Sequence, residues 1–240
     1  MVKRERALVN FLIVTTQVFR LKVDRLKAKG RRECFSYLQP SAYLPSAYLP
    51  VTRGDIRLKS ILLHICCGVC ASSVVERLKE EGLEVMGFFY NPNIHPAEEY
   101  KRRLEVAQQV AGILNFSLIE GDYDKENWFE LTAGLEDEPE GGRRCEVCFR
   151  MRLEKTKEKA SELGIPYFTT TLTVSPHKNA MLINKIGKDL GEGNFIERDF
   201  KKMDGTKLAM EFAKRHNFYR QNYCGCVYSI TPHFPASPNF

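Results

Sequence analysis

Hydrophobic and polar positions fall into two alternating periods along residues 60–216. Short apolar runs bounded by turn residues predict strands at Ile61–Ile65, Glu84–Tyr90, Ser117–Glu120, Tyr167–Leu172 and Phe195–Glu197. Between them, apolar residues recur at helical spacing. This predicts amphipathic helices over Ala71–Glu81, Ala97–Leu114, Trp128–Thr132, Glu146–Leu163, Asn179–Leu190 and Thr206–His216. Strands alternating with helices imply an α/β fold, a parallel sheet flanked by helices. In such sheets ligands bind outside the carboxyl ends of the strands. Two turns therefore stand out: His64-Ile-Cys-Cys-Gly-Val-Cys70-Ala-Ser-Ser73 after the first strand, and Asn91-Pro-Asn-Ile-His-Pro96 after the second.

Residues 1–58 do not continue the pattern. They hold a tandem repeat, Pro40-Ser-Ala-Tyr-Leu-Pro45-Ser-Ala-Tyr-Leu-Pro50, that neither packs nor sustains a helix. The expected division is an extension over 1–58, either a loose arm or an over-extended start with the natural one near Val51, and a metal-binding catalytic domain over 59–240. Charge follows the same border. The extension carries 12 Lys and Arg against 4 Asp and Glu, while the rest carries 24 against 26, so the overall +6 gives no sign that the body binds nucleic acid. The apolar run Ala7–Val14 is short and interrupted by Asn10, and no stretch is long enough to span a bilayer. A reduced, cytoplasmic protein without a membrane partner is expected.

The cysteines change the picture. Of eight, Cys34 stands alone and seven cluster as Cys66-Cys67-x-x-Cys70, Cys145-x-x-Cys148 and Cys224-x-Cys226. Such spacing places pairs of sulfurs within reach of one metal, and seven thiols exceed the four that one zinc or one iron–sulfur cluster needs. Two metal centres, or one cluster and a reactive thiol, account for the surplus. A structural zinc site, a dithiol redox pair or plainly buried cysteines are the competing explanations. The glycine-bearing turn at Gly68 matches no Walker phosphate loop.

Four motifs together resemble the epoxyqueuosine reductases of the QueH type: Leu63-His-Ile-Cys-Cys-Gly-Val-Cys70; Phe89-Tyr-Asn-Pro-Asn-Ile-His-Pro96 with Glu98-Glu-Tyr100; Gly142-Arg-Arg-Cys-Glu-Val-Cys148; and Tyr219-Arg-Gln-Asn-Tyr-Cys-Gly-Cys226. The resemblance covers about residues 60–230. It implies a fold similar to the PP-loop ATPases and tRNA thiolases (HUP-like), a [4Fe–4S] cluster beside one additional iron, and no cobalamin. It also implies reduction of epoxyqueuosine at the tRNA wobble position, with an unidentified electron donor. A PP-loop tRNA thiolase and a non-catalytic, zinc-stabilised RNA-binding module are the alternatives.

On this resemblance Cys145, Cys148 and members of the Cys66, Cys67 and Cys70 group are expected on the cluster, with Cys224 or Cys226 and Asp124 on the second iron. Asp122 is the next choice for the oxygen ligand, and a helix cap is the plain role for Asp124. His95 and Tyr90 are candidates for proton delivery. His64 and Tyr100 are weaker ones, since a histidine within a strand is usually a bonded core residue. Asn91 and Asn93 contact substrate or merely shape their turn. Arg144, Lys201, Lys202 and Arg220 are candidate contacts to tRNA phosphate or cluster charge.

Overall fold

The structure, a computed structural model, describes residues 59–229. The expected extension over 1–58, with its repeat and Cys34, lies outside them. Four parallel strands, β1 (Lys59–His64), β2 (Leu83–Phe89), β3 (Ser117–Glu120) and β4 (Tyr167–Thr170), form one sheet in the order β3-β2-β1-β4. Central β1 pairs with β2 in the register Ile61↔Val85 and Leu63↔Gly87, and with β4 in the register Leu62↔Phe168. Ile61, Leu62 and Leu63 are fully buried, which explains a continuous apolar run where a one-sided strand would alternate.

Among the described residues six α-helices complete the fold: α1 (Gly68–Glu80), α2 (Ala97–Leu114), α3 (Lys125–Thr132), α4 (Arg143–Glu162), α5 (Ala180–Gly191) and α6 (Gly205–Arg215). The chain steps outward from β1 to β2 to β3 and then returns past β1 to β4. Right-handed crossovers therefore put α1 and α2 on one face and α4 on the other. Consistently, α1 packs against α2 and α6, while α4 packs against α5, β1 and β4. The reversal leaves a crevice between the C-terminal ends of β1 and β4, the topological switch point of the sheet.

Besides α3, which begins at Lys125 and not Trp128, and β4, which stops at Thr170 and not Leu172, three sequence expectations need adjustment. The first helix begins at Gly68, three residues before Ala71, because the Cys67 thiol caps it. The fourth begins at Arg143, so Cys145, expected just ahead of it, sits with Cys148 inside its first turns. The expected strand Phe195–Glu197 is a single bridge, Phe168↔Phe195, held by hydrogen bonds of 3.1 Å to Asn194 O and 2.9 Å from Ile196 N. Chain beyond Glu197 turns away to cover α5, where Asn184 bonds Arg198 O at 3.2 Å, so no ladder forms. No helix among the described residues is long and apolar enough to cross a membrane.

Candidate metal and substrate site

The site begins where β1 ends. His64 is fully buried; its Nε2 donates to Tyr90 O at 3.1 Å, and its Nδ1 accepts from the Thr170 hydroxyl at 2.9 Å. Burial, reinforced by the Arg152 charge, lowers its pKa to about 4, so it is a neutral core histidine that ties β1 to the ends of β2 and β4. Two residues on, Cys66 N donates to the Thr171 hydroxyl at 3.0 Å, and that hydroxyl lies 3.3 Å from Cys66 Sγ. Cys67 is the N-cap of α1, its sulfur accepting from Cys70 N at 3.4 Å. Gly68 opens the helix because α2 crosses closely there: a Cβ would stand 2.6 Å from the Val106 carbonyl carbon.

These constraints bring the sulfurs of Cys66, Cys67 and Cys70 within 4.8 Å of one another. The other two thiols donate to Cys66 and hold it well below the usual thiol range, while Cys67 is pushed up to about 11 and Cys70 well above its ordinary value. The trio sits at the positive end of a helix, which favours thiolate there.

The remaining thiols meet on the other side of the crevice. Cys145 and Cys148, one helical turn apart on α4, line a small cavity of about 40 Å³ together with Cys224, Cys226, Trp128 and Leu182. Burial raises the Cys145 thiol, although its sulfur accepts from Gly141 N at 3.2 Å. Cys224 and Cys226 sit on a turn made possible by Gly225, whose φ is +103° and whose added Cβ would meet Ile94 Cγ1 at 2.8 Å. Arg103 clamps that turn, donating to Cys224 O and Tyr223 O at 3.1 Å each and to Glu99 at 2.7 Å. Gly225 O accepts from His95 N at 2.7 Å. A hydrogen bond from the Cys226 thiol lowers Cys224 to about 5 and raises Cys226.

A larger cavity of about 430 Å³ occupies the switch point itself, reaching from Cys66 and Cys70 to Arg220 at its rim. It adjoins the smaller one: Asn93, Glu140, Arg152, His177, Lys178 and Cys224 line both. All seven described cysteines are free of disulfides. Two sulfurs on one ion at about 2.3 Å each lie no more than about 4.6 Å apart, so Cys66, Cys67 and Cys70 suit a single metal with one position open. No other trio among the described residues approaches this closely, while Cys145, Cys148, Cys224 and Cys226 gather around the small cavity, four thiols being the number a cluster takes.

Comparison with known proteins places the chain in a family. The family model described as epoxyqueuosine reductase QueH matches residues 61–232. The chain belongs to this family. Epoxyqueuosine reductase QueH of Streptococcus pyogenes serotype M1 is 42% identical over 179 residues, 71% of this chain and 70% of the relative. Its counterpart in Histophilus somni is 37% identical over 210 residues, covering 84% and 82%. That of Thermotoga maritima is 34% identical over 177 residues, covering 71% and 90%.

Seen as a QueH-family site, the structure separates the sequence candidates. Asn91, Asn93 and Arg220 line the large cavity. Asp124 caps α3, its Oδ1 accepting from Asn127 N at 3.3 Å, and it lines neither cavity. His95 lies among Tyr123, Trp128 and Phe129, with Nε2 buried and lacking a partner; burial, then the Lys125 charge, lowers its pKa. Tyr90 is buried against Phe88, and burial raises its phenol. Tyr100 donates to Glu120 at 3.2 Å. Arg144 lines the small cavity but spends one terminal nitrogen on the carbonyls of Leu135, Glu136 and Glu138, at 2.6–2.9 Å, closing that loop. Lys201 straps Thr173 O and Lys178 O at 3.2 and 3.3 Å and pairs with Asp199, while Lys202 gives its carbonyl to Arg77.

Sequence reasoning passed over Arg103, Arg152, Thr171 and Lys178. Arg152 is buried with Nε on Cys148 O at 3.0 Å. Lys178, between the two thiol groups, is a positive charge that favours thiolate at both Cys66 and Cys224. Thr171 and Lys178 follow β4 at the same sheet edge as Cys66, so the rule that singled out the turns after β1 and β2 applied equally to Thr171–Asn179.

Proposed function

We propose that this chain reduces epoxyqueuosine in tRNA to queuosine, using a metal centre built on its seven clustered thiols. One observation carries the reading: three distant cysteine segments converge around two adjoining cavities at the switch point of the sheet. In a protein of this family, that is the machinery a reductive deoxygenation requires. The conversion consumes two electrons and two protons, breaks both C–O bonds of the epoxide, and releases water and an alkene.

The spacing supports a division of the thiols that differs from the sequence expectation. Cys145, Cys148, Cys224 and Cys226 hold the [4Fe–4S] cluster, and Cys66, Cys67 and Cys70 hold the additional iron. A bound cluster supplies electrons singly, and an iron with an open position polarises an oxygen. Asp124 would have to leave its helix cap to become a ligand. Around these thiols, Arg152 and Lys178 supply countercharge from within the crevice, and Thr171 orients Cys66.

The large cavity receives the nucleotide, which has to leave its stack to reach buried thiols. Arg220 at the rim contacts RNA phosphate. His177 and Lys178 line the cavity and take over the proton delivery that His95 and Tyr90 were expected to perform, since neither of those reaches it. The electrons come from a separate low-potential donor. Free thiols in this number fit a cytoplasmic enzyme.

Anaerobic purification with iron, sulfide and zinc analysis, followed by an assay on epoxyqueuosine-bearing tRNA with a low-potential reductant, tests the reading. About five irons and four sulfides per chain, with conversion to queuosine, are expected. Zinc alone without conversion would sink it in favour of a zinc-stabilised RNA-binding module.

A further inference from the structure

Asn91 and Asn93 carry carboxamide oxygens that are buried and accept no hydrogen bond. Both residues are almost fully inaccessible, at 0% and 2% exposure, yet both line the large cavity. A buried acceptor without a donor is costly, so two in one turn require an explanation. Turn formation does not provide one. The turn is closed by the main chain, Ile94 N to Asn91 O at 3.1 Å, and neither carboxamide takes part. Asn91 Nδ2 donates to Ile65 O at 2.9 Å, which fixes that carboxamide and leaves its oxygen as the free end.

We propose that Asn91 and Asn93 form a two-acceptor floor that holds the hydrogen-bond donors on the reacting substituent of the substrate, a secondary ammonium bearing a hydroxylated epoxide ring. The assignment rests on the reductase reading. Neutral carbonyl acceptors select O–H and N–H groups and give no attraction to phosphate. Asn93 lies where the two cavities adjoin, beside Cys224, so whatever it holds is next to the thiols, where the epoxide has to be. Glu140 lines the same junction together with Arg152 and Lys178, so selection there falls to the uncharged carbonyl acceptors and not to net charge. Base and phosphate then extend toward the rim at Arg220, Gln221 and Asn222. Recognition thus reads the substituent and not the base, and the enzyme discriminates against unmodified RNA at the bottom of the pocket.

The test uses the full chain loaded with metal, without reductant, and two anticodon stem-loop RNAs that differ only in carrying epoxyqueuosine or guanosine at the wobble position. Fluorescence anisotropy gives both affinities. Wild type is expected to prefer the epoxyqueuosine RNA. Asn93→Leu should weaken that RNA by about ten- to a hundredfold while changing the guanosine RNA less than twofold. Asn93→Asp, which restores an acceptor, should recover the preference, and Asn93→Ala removes the same oxygen without added bulk should leucine not pack. Equal weakening of both RNAs, or no preference in wild type, would overturn the proposal. Preference lost with Asn93→Leu in a protein that never deoxygenates the substrate would uphold the acceptor floor and remove the reductase chemistry instead.

Discussion

Arg103 offers the sharpest test of how the downstream cysteines are held. It is 3% exposed, pairs with the buried Glu99 at 2.7 Å, and spreads its other nitrogens over Cys224 O and Tyr223 O. Glu99 in turn accepts from Tyr219 at 2.8 Å. Arg103→Met keeps the volume and removes the charge, leaving a buried carboxylate and two carbonyls without their donor. Breaking a buried pair by removing one partner costs about 3–5 kcal/mol. Urea unfolding should read that loss, and Glu99→Gln in the Met background should recover part of it, because the orphaned charge is then gone. The same guanidinium fixes the direction of the Tyr223–Cys226 turn, so iron retained per chain should fall as well. Arg103→Lys should recover the pairing with Glu99 but not the fork across two carbonyls, giving intermediate stability with iron still reduced. A loss below about 1 kcal/mol with unchanged iron would refute the view that this pair organises the Cys224–Cys226 turn.

Other outcomes follow from single contacts. Asp124→Ala should cost about 1 kcal/mol as a lost helix cap and leave the iron count unchanged; loss of one iron would make Asp124 a ligand after all. Lys201→Met should lower stability yet leave the salt dependence of RNA binding alone, since its ammonium is committed to Thr173 O and Lys178 O, whereas Arg220→Gln should reduce the salt slope by about one. His64 makes stability pH-dependent. Its folded pKa of about 4 lies below the unfolded value of 6.5, so the unfolded chain binds the extra proton and stability falls as pH drops from about 6.5 toward 4. Wild type should lose about 2 kcal/mol between pH 8 and pH 5 from this group, and His64→Gln should flatten that slope.

Much of the architecture was legible because it depends on periodicity. Buried runs such as Ile61–Ile65 and the helical spacing of Ala97–Leu114 survive in the structure with shifts of a few residues or none. The failures differ in cause, one local and one distant in sequence. Cys67 lengthens α1 as an unusual thiol cap, and Phe195 remains a single bridge because the chain is drawn off toward α5. Neither is encoded in local propensity.

The site divides along the same line. Clustered cysteines announce metal through spacing alone, but their partition depends on which strand ends the topology brings together, and spacing does not carry that. The candidate proton and charge donors show how position weighs beside residue type. His95 and Tyr90 are chemically apt and adjoin a motif, yet the first is enclosed by aromatic rings and the second is buried against Phe88. Lys178, in an unremarked Pro176-His-Lys-Asn179 run, emerges beside both thiol groups because β4 lies next to β1. Strand order β3-β2-β1-β4 is therefore the link between sequence and chemistry: it decides that a crevice opens at Cys66, and that the segment after β4, not the one after β3, supplies its second wall.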